Sequence, residues 1–394
     1  GDCPDGCVPP GDGGQVKLFA TNFGSTITIN GLIRANGGDE PGNVIASAGG
    51  GGSIVVDAEQ TLTLGGTIAA VGGKTSPNSD IAGGSGGTID LRGGNMLYIN
   101  GGAMVDASGG DAGNVAWNTS VPTVGANGGH GGAIALSGNQ IIMASAASIE
   151  ARGGKGGQGS TTSTDGGQGG QGGYGGSIQF YGGTQDITIS GSVSALGGHG
   201  GDGGRAGEGA DGAGGPIGPS GILSFWATGG GLISDSTAGA KLAGKIVIGD
   251  ADWKLTGDVT IRNSGSVESW EGSVIGRASI VDEGPNPFLV GGAGLTTTGS
   301  LEIVASGSVT QIGPINAAGL SVAGSTITLL NPGNILSGMS GSGLVSASAQ
   351  GAIELRSNYP VTLGTISSID PGPRPQGLVY IAAQAIALND SSAI

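Results

Sequence analysis

An all-β fold, a parallel β-helix, is predicted by three observations. A unit of about 24 residues recurs through about the first 230 residues, each unit carries three short apolar runs, and the glycine-rich inserts between units come in matched lengths. A unit this short cannot enclose a core alone. Stacked units can, by pairing equivalent strands in parallel at about 4.8 Å.

The units Gly51 to Gly73, Gly86 to Gly110, Gly131 to Gly154 and Gly175 to Gly198 open with Gly-Gly, a small residue and Ile. They close with an apolar residue, one residue, Ala, one residue and Gly-Gly, and a fifth copy of that close stands at Ile33 to Gly38. Inside a unit the runs Ile54-Val55-Val56, Leu62-Thr63-Leu64 and Ile68-Ala69-Ala70 tend towards the alternation of half-buried strands, with polar or glycine corners between them. The closing signature puts Ile33, Ile68, Val105, Ile149 and Val193 at one repeat position, so they are expected to form a single inward-facing column.

Inserts 39–50 and 74–85 are 12 residues long, 111–130 and 155–174 are 20, and 199–219 is 21. Such matching predicts that they leave one corner of successive coils and lie against one another. Their Gly-Gly-x rhythm, as in Gly166 to Gly176 and Gly197 to Gly204, has the period of three of a polyproline-II-like chain, and glycine lets such backbones approach closely enough to hydrogen-bond. Composition alone suits flexible linkers equally; the matched lengths favour an ordered second layer.

The 91 glycines in 394 residues lack a chain-wide Gly-X-Y period, which excludes collagen, and 4% aromatic residues cannot fill a compact multi-layer core. A β-helix needs only a thin column of Ile, Val, Leu and Ala. A net charge of −15, with 14 scattered basic residues, argues against nucleic acid or anionic membranes as partners. No run approaches the roughly 18 apolar residues of a membrane span. The chain opens at Gly1 without a methionine or signal peptide and is expected to be a mature or excised product. Cys3 and Cys7, the only cysteines, flank a Pro-Asp-Gly turn. A disulfide across it is expected to contribute about 2 kcal/mol and suits an oxidising, extracellular compartment, with free thiols or a bond to another chain as alternatives.

Beyond about residue 240 the glycine pairs stop while short strands continue at Lys245 to Ile248, Val259 to Ile261, Leu301 to Ile303, Thr326 to Leu329 and Ala352 to Leu355. Proline clusters at 285–287 and 371–375 belong in loops. Three segments are therefore expected: an N-terminal Cys/Pro/Gly segment over 1–24, glycine-rich coils with inserts over 25–239, and plainer coils over 240–394.

In those plainer coils, Gly299 to Val322, reading GSLEIVASGSVTQIGPINAAGLSV, and its continuation Ser325 to Ile335 resemble the repeats of filamentous-haemagglutinin-type large exoproteins of Gram-negative bacteria. The resemblance covers about residues 290–370 and is generic over the glycine-rich half. It implies a right-handed β-helix, secreted or surface-attached, serving as an adhesin or fibre. The family's N-terminal secretion domain is not recognisable, and the matching motif is made of strand and turn positions, so no functional residue carries over.

Catalytic motifs are sparse. Gly83-Gly84-Ser85-Gly86-Gly87 satisfies Gly-x-Ser-x-Gly, but a nucleophile elbow needs a strand-to-helix turn and a histidine. His130 and His199 read as exposed loop residues. Gly197 to Asp202 is similar to a calcium-binding nonapeptide without its tandem repetition, leaving calcium on Asp202, Glu208 and Asp211 as a weak alternative to no cofactor. Polysaccharide cleavage would need paired carboxylates; the best pair is Asp250 and Asp252, with Asp39-Glu40 and Asp282-Glu283 in loops. Phe180 and Phe225, 45 residues apart, are expected to stack as an aromatic ladder, whereas Trp117, Trp226, Trp253 and Trp270 share no repeat position. No amphipathic helix is evident at either terminus to cap the strand edges.

The expected function is thus that of a non-enzymatic, secreted structural or adhesive β-solenoid, self-associating as a subunit of a bacterial surface or extracellular fibre, with a host or matrix glycan or protein as receptor. A carbohydrate-binding or polysaccharide-degrading β-helix is the alternative.

Overall fold

The chain folds as the parallel β-helix that its repeats predict. The structure, a computed structural model, describes residues 10–40, 48–76, 80–114, 122–162, 165–207, 209–236, 240–249, 255–338, 343–368 and 378–388. Cys3, Cys7, Glu208, Asp250 and Asp252 lie outside them. Among the described residues there are thirty-one strands and no α-helix, and the strands pair in parallel without closing a barrel. Contacts group the chain into two compact units: Gly1–Gly138, Ala146–Phe180 and Ser192–Leu223 form one, and Asn139–Ser145, Tyr181–Gly191 and Ser224–Ile394 the other.

In the first unit the coils over residues 15–34, 53–69 and 88–106 each contribute three strand segments. Ser53–Ala58, Thr61–Leu64 and Thr67–Ala69 correspond to the three apolar runs read from the sequence. Alternate residues Ile54, Val56, Ala58, Leu62 and Leu64 point inward and are fully buried. In the next coil the first two runs join into one strand, Thr88–Ile99, because glycines replace the corner residues. There a β-carbon on Gly93 would strike the Met96 carbonyl and one on Gly94 the Glu59 carbonyl, so the strand turns its corner without side chains.

The third ladder holds the repeated apolar position. Ile33 is partnered by Ile68, Ile68 by Val105, Val105 by Ile149 and Ile149 by Val193. The last four are fully buried, whereas Ile33, on the first strand of the ladder, is half-buried.

The second unit is built from ladders of the plainer coils. One runs through Val259–Asn263, Ala278–Asp282, Ser300–Ala305, Gly319–Gly324 and Leu344–Ala349. Another runs through Val309–Gln311, Ile327–Leu329, Ile353–Arg356 and Val379–Ala382. Its core is less uniformly aliphatic. Trp270 and Phe288 are fully buried and stack with ring centroids 5.6 Å apart. Polar corner residues tie successive turns. Asn334, fully buried, accepts from the Ile315 N–H (2.8 Å) and donates to the carbonyls of Leu329 (3.2 Å) and Arg356 (3.1 Å). One side-chain amide thereby replaces main-chain partners that the turn cannot supply.

Ile149→Asp places an uncompensated charge in the middle of the buried column, and a loss of several kcal/mol is expected. Chemical denaturation of the variant checks it; stability equal to the parent's would refute this account of the core.

Candidate functional surface

The inserts of the first unit are its most distinctive surface. Each leaves its coil as an outgoing arm and comes back as a returning arm, and the longer inserts carry the Gly-Gly-x rhythm into their arms. One row of main-chain hydrogen bonds threads every insert: Gly49 N–H to Gly38 O (3.0 Å), Gly73 to Gly49 (2.8 Å), Gly84 to Gly73 (2.9 Å), Gly110 to Gly84 (2.8 Å) and Gly129 to Gly110 (2.9 Å). It continues from Gly154 to Gly129 (2.8 Å), Gly173 to Gly154 (2.9 Å), Gly198 to Gly173 (2.8 Å) and Gly218 to Gly198 (2.9 Å). These bonds alternate between outgoing and returning arms and lock them into a two-layered sandwich. The spacing requires glycine: a β-carbon on Gly173 would run into the Gly129 carbonyl, and one on Gly172 into that of Gly198.

The other glycine of each pair bonds within its own layer. Gly109 donates to Arg152 O (2.8 Å), Gly153 to Leu196 O (3.0 Å), Gly128 to Gln171 O (2.9 Å) and Gly172 to Pro216 O (3.0 Å). The third residue turns outward, where its N–H is met by a short polar side chain at the same place in the preceding insert. Val71 N–H donates to Asn36 Oδ1 (3.0 Å), Lys74 to Asp39 Oδ1 (2.8 Å), Lys155 to Asp111 Oδ1 (2.8 Å) and Gln158 to Asn114 Oδ1 (2.9 Å). On the returning side Gln171 donates to Asn127 Oδ1 and Tyr174 to His130 Nδ1, both at 3.0 Å. Where the preceding residue is the longer Gln171 or Tyr174, the outward position is Pro216 or Pro219, which has no N–H to satisfy.

The two outer faces differ in chemistry. The outgoing face carries Asp39, Lys74, Asp111, Lys155 and His199 on successive inserts, an alternation that allows Lys74 to pair with Asp111 at 3.4 Å. Both partners are solvated, so each such pair adds only about 0–1 kcal/mol. The returning face carries the uncharged series Ser85, Tyr174 and Pro219 with His130, whose ring tilts against Tyr174 at 4.7 Å. The last insert breaks the glycine pattern of the returning arm. Asp211, Ile217 and Ser220 stand where the insert before it has Gly166, Gly172 and Gly175, and Ile217 is 65% exposed.

These arms absorb several residues singled out as candidates for chemistry. Ser85 lies in a returning arm, its carbonyl accepting from Gly51 N–H (2.8 Å), instead of at a strand-to-helix elbow. Asp39 and Glu40 both serve the next insert, Glu40 through Ser76 N–H on Oε2 (3.0 Å) and Ser76 Oγ on its carbonyl (2.6 Å). Asp202 faces Lys155 at 3.8 Å, and Asp211 caps Ala206 N–H at 2.8 Å. Among the described residues no group of three or more His, Cys, Asp or Glu side chains is placed to hold a metal ion, and no helix is long and apolar enough to cross a membrane. Phe180 and Phe225 are both fully buried.

In the second unit Asp282 and Glu283 part company. Glu283 pairs with Arg262 at 2.6 Å, while buried Asp282 accepts from Trp270 Nε1 (3.2 Å), Gly284 N–H (3.1 Å) and Asn263 Nδ2 (3.5 Å). Burial raises the Asp282 carboxyl above its ordinary range, against the opposing pull of those three donors. Elsewhere in the second unit stands an aromatic pair of unlike residues. Tyr181 and Trp226 stack with centroids 4.8 Å apart and planes 17° apart. The 45-residue spacing that linked Phe180 to Phe225 links these neighbours too, and was the signal available for finding them. No family model matches the chain, and neither does any curated protein or solved structure.

Two outcomes follow from this geometry. Replacing Gly169, Gly170, Gly172 and Gly173 with Ala is expected to loosen the sandwich while the coils persist; amide exchange checks this through lost protection confined to the inserts. The raised carboxyl of Asp282 gives a contribution that is most favourable below the ordinary aspartate value of 3.8 and is lost as pH rises through the higher folded-state value. The stability of Asp282→Asn is therefore expected to fall less steeply than the parent's over that window, as read from denaturation midpoints against pH.

Proposed function

We propose that this protein is a non-enzymatic, secreted structural or adhesive β-solenoid, a component of a bacterial surface or extracellular fibre. The observation that carries the reading is the unbroken row of main-chain hydrogen bonds through all the inserts, reinforced by side chains that cap outward amides. Glycine, Asn and Asp are here invested in holding a broad, regular, solvent-facing layer. Such a layer suits a load-bearing or displaying role.

The edge strands support assembly. Gln15–Ala20 and Ile386–Leu388 are paired on one side only among the described residues, and Leu18, Ile386 and Leu388 are exposed there. Such an edge is a template for a further coil, contributed by the same polypeptide or by another copy. Heterologous contacts of that kind propagate into a filament. The likeness of residues 290–370 to haemagglutinin-type exoprotein repeats fits the same reading.

Electron microscopy and sedimentation of the purified protein test it. Rods that lengthen with concentration are the expected result; a concentration-independent monomer with intact ends would overturn the fibre and leave a monomeric surface protein.

A further inference from the structure

The Tyr181–Trp226 stack sits on the outer side of its strands in the second unit, opposite to the inward-facing Phe180 and Phe225. Tyr181 is 42% exposed and Trp226 is half-buried. The Trp226 Nε1 is itself buried with no acceptor among the described residues, so the indole offers a partner its ring and not its N–H. In an aromatic ladder the next rung would carry a side chain that covers the ring. Here the Gly249 N–H donates to the Phe225 carbonyl (2.8 Å), which sets Gly249, without a side chain, against the Trp226 end of the strand.

The small residues continue along the following rungs. Ile248 is partnered by Gly272, Val247 by Glu271, and Ser273 by Thr296. Gly249, Glu271, Gly272, Ser273, Ala293 and Thr296 are among the residues that line an open depression of about 230 Å³. The Glu271 carboxylate folds over Gly291, where a β-carbon would collide with it, and this brings an acceptor to the side of the depression. An aromatic stack, a shallow recess beginning at the neighbouring rung, a carboxylate and two hydroxyls form a set suited to adjoining sugars of a short glycan, since the rungs from Trp226 to Thr296 span more than one ring at about 4.8 Å each. One sugar packs its C–H face on the indole, and the hydroxyls of the next, in the recess, meet Glu271, Ser273 and Thr296. The recess is smaller than the pockets of about 300 Å³ and upward that enclose drug-sized ligands. Charge narrows the class further: Glu271 and the net −15 of the chain disfavour acidic sugars.

We propose that the Tyr181–Trp226 stack and the recess lined by Gly249, Glu271, Ser273 and Thr296 bind a neutral glycan through adjoining sugars, one on the stack and one in the recess. This rests on the adhesive side of the function proposed above and names its receptor class.

The full chain is applied to an array of neutral, N-acetylated and acidic glycans, and the affinity for the best neutral glycan is measured by titration calorimetry for the parent, Trp226→Ala and Ala293→Phe. Ala293 is exposed, so Phe fills the recess without disturbing the core; unchanged thermal unfolding checks that the fold is kept. The expected result is neutral-glycan binding by the parent, weakened at least about tenfold in Trp226→Ala and likewise lost in Ala293→Phe. Parent-like binding by Ala293→Phe would overturn the site while leaving an adhesive protein. Binding of acidic glycans alone, or of a protein ligand in place of any glycan, would overturn the ligand class. A parent that binds no glycan yet forms rods would overturn this inference and leave the structural function intact.

Discussion

Everything distinctive in the first unit depends on one requirement, that the main-chain amides of extended arms must find acceptors without regular strand pairing. A polyproline-II-like arm makes no hydrogen bonds to itself. Its three N–H groups per turn therefore point to a neighbour in the same layer, to the opposite layer and to solvent. The first two directions bring backbones close enough that Gly172 and Gly173 tolerate no β-carbon. The third can carry any side chain, and that is where Lys155, Gln171, Tyr174 and His199 are found. The Gly-Gly-x rhythm is the sequence record of those three directions.

This arrangement divides the energetic work unevenly. The coils are held by apolar burial along columns such as Ile68, Val105, Ile149 and Val193, which is non-directional and tolerates exchange between Ile and Val. The sandwich buries little beyond glycine backbone and relies on directional bonds, each contributing about 0.5–1.5 kcal/mol net. An unmade bond in a buried row costs more than a made one adds. The inserts are therefore stabilised collectively, and their order depends on the coils that set their spacing.

The coils were legible because their signal is periodic in the simplest way. Alternation in Ile54, Val56, Leu62 and Leu64 names the inward face, and the recurrence of the Ile33 and Ile149 positions names the column. The joined strand Thr88–Ile99 was not legible, since Gly93-Gly94 reads equally as a turn and as a bend within a strand. The amide caps were missed for a different reason. Asn36, Asp39, Asp111 and Asn127 resemble ordinary loop residues until the register between inserts is known, and only then does each face the N–H of the next insert. Asp39, Glu40 and Asp282 drew attention as carboxylates available for chemistry. The structure commits the first two to neighbouring inserts and the third to a buried corner with Trp270 and Asn263. The Tyr181–Trp226 stack was not legible as a repeat because its members, though 45 residues apart, are unlike residues.

The substitutions in the last returning arm give the glycine layer a length limit written into its own sequence. The β-carbon of Gly172 would meet the next outgoing arm, and no insert follows the one that carries Ile217. A branched side chain is tolerated there because the position faces solvent, Ile217 being 65% exposed, and its bulk obstructs a further arm at that margin. Asp211 adds a charge on the same margin. Gly214, which kept its glycine, has almost nothing within reach of a β-carbon. The layer thus has a blunted rim of the kind that edge strands acquire through charge and bulk. Accretion of stray glycine-rich polypeptide, the standing hazard for exposed unpaired backbone, is opposed at this margin.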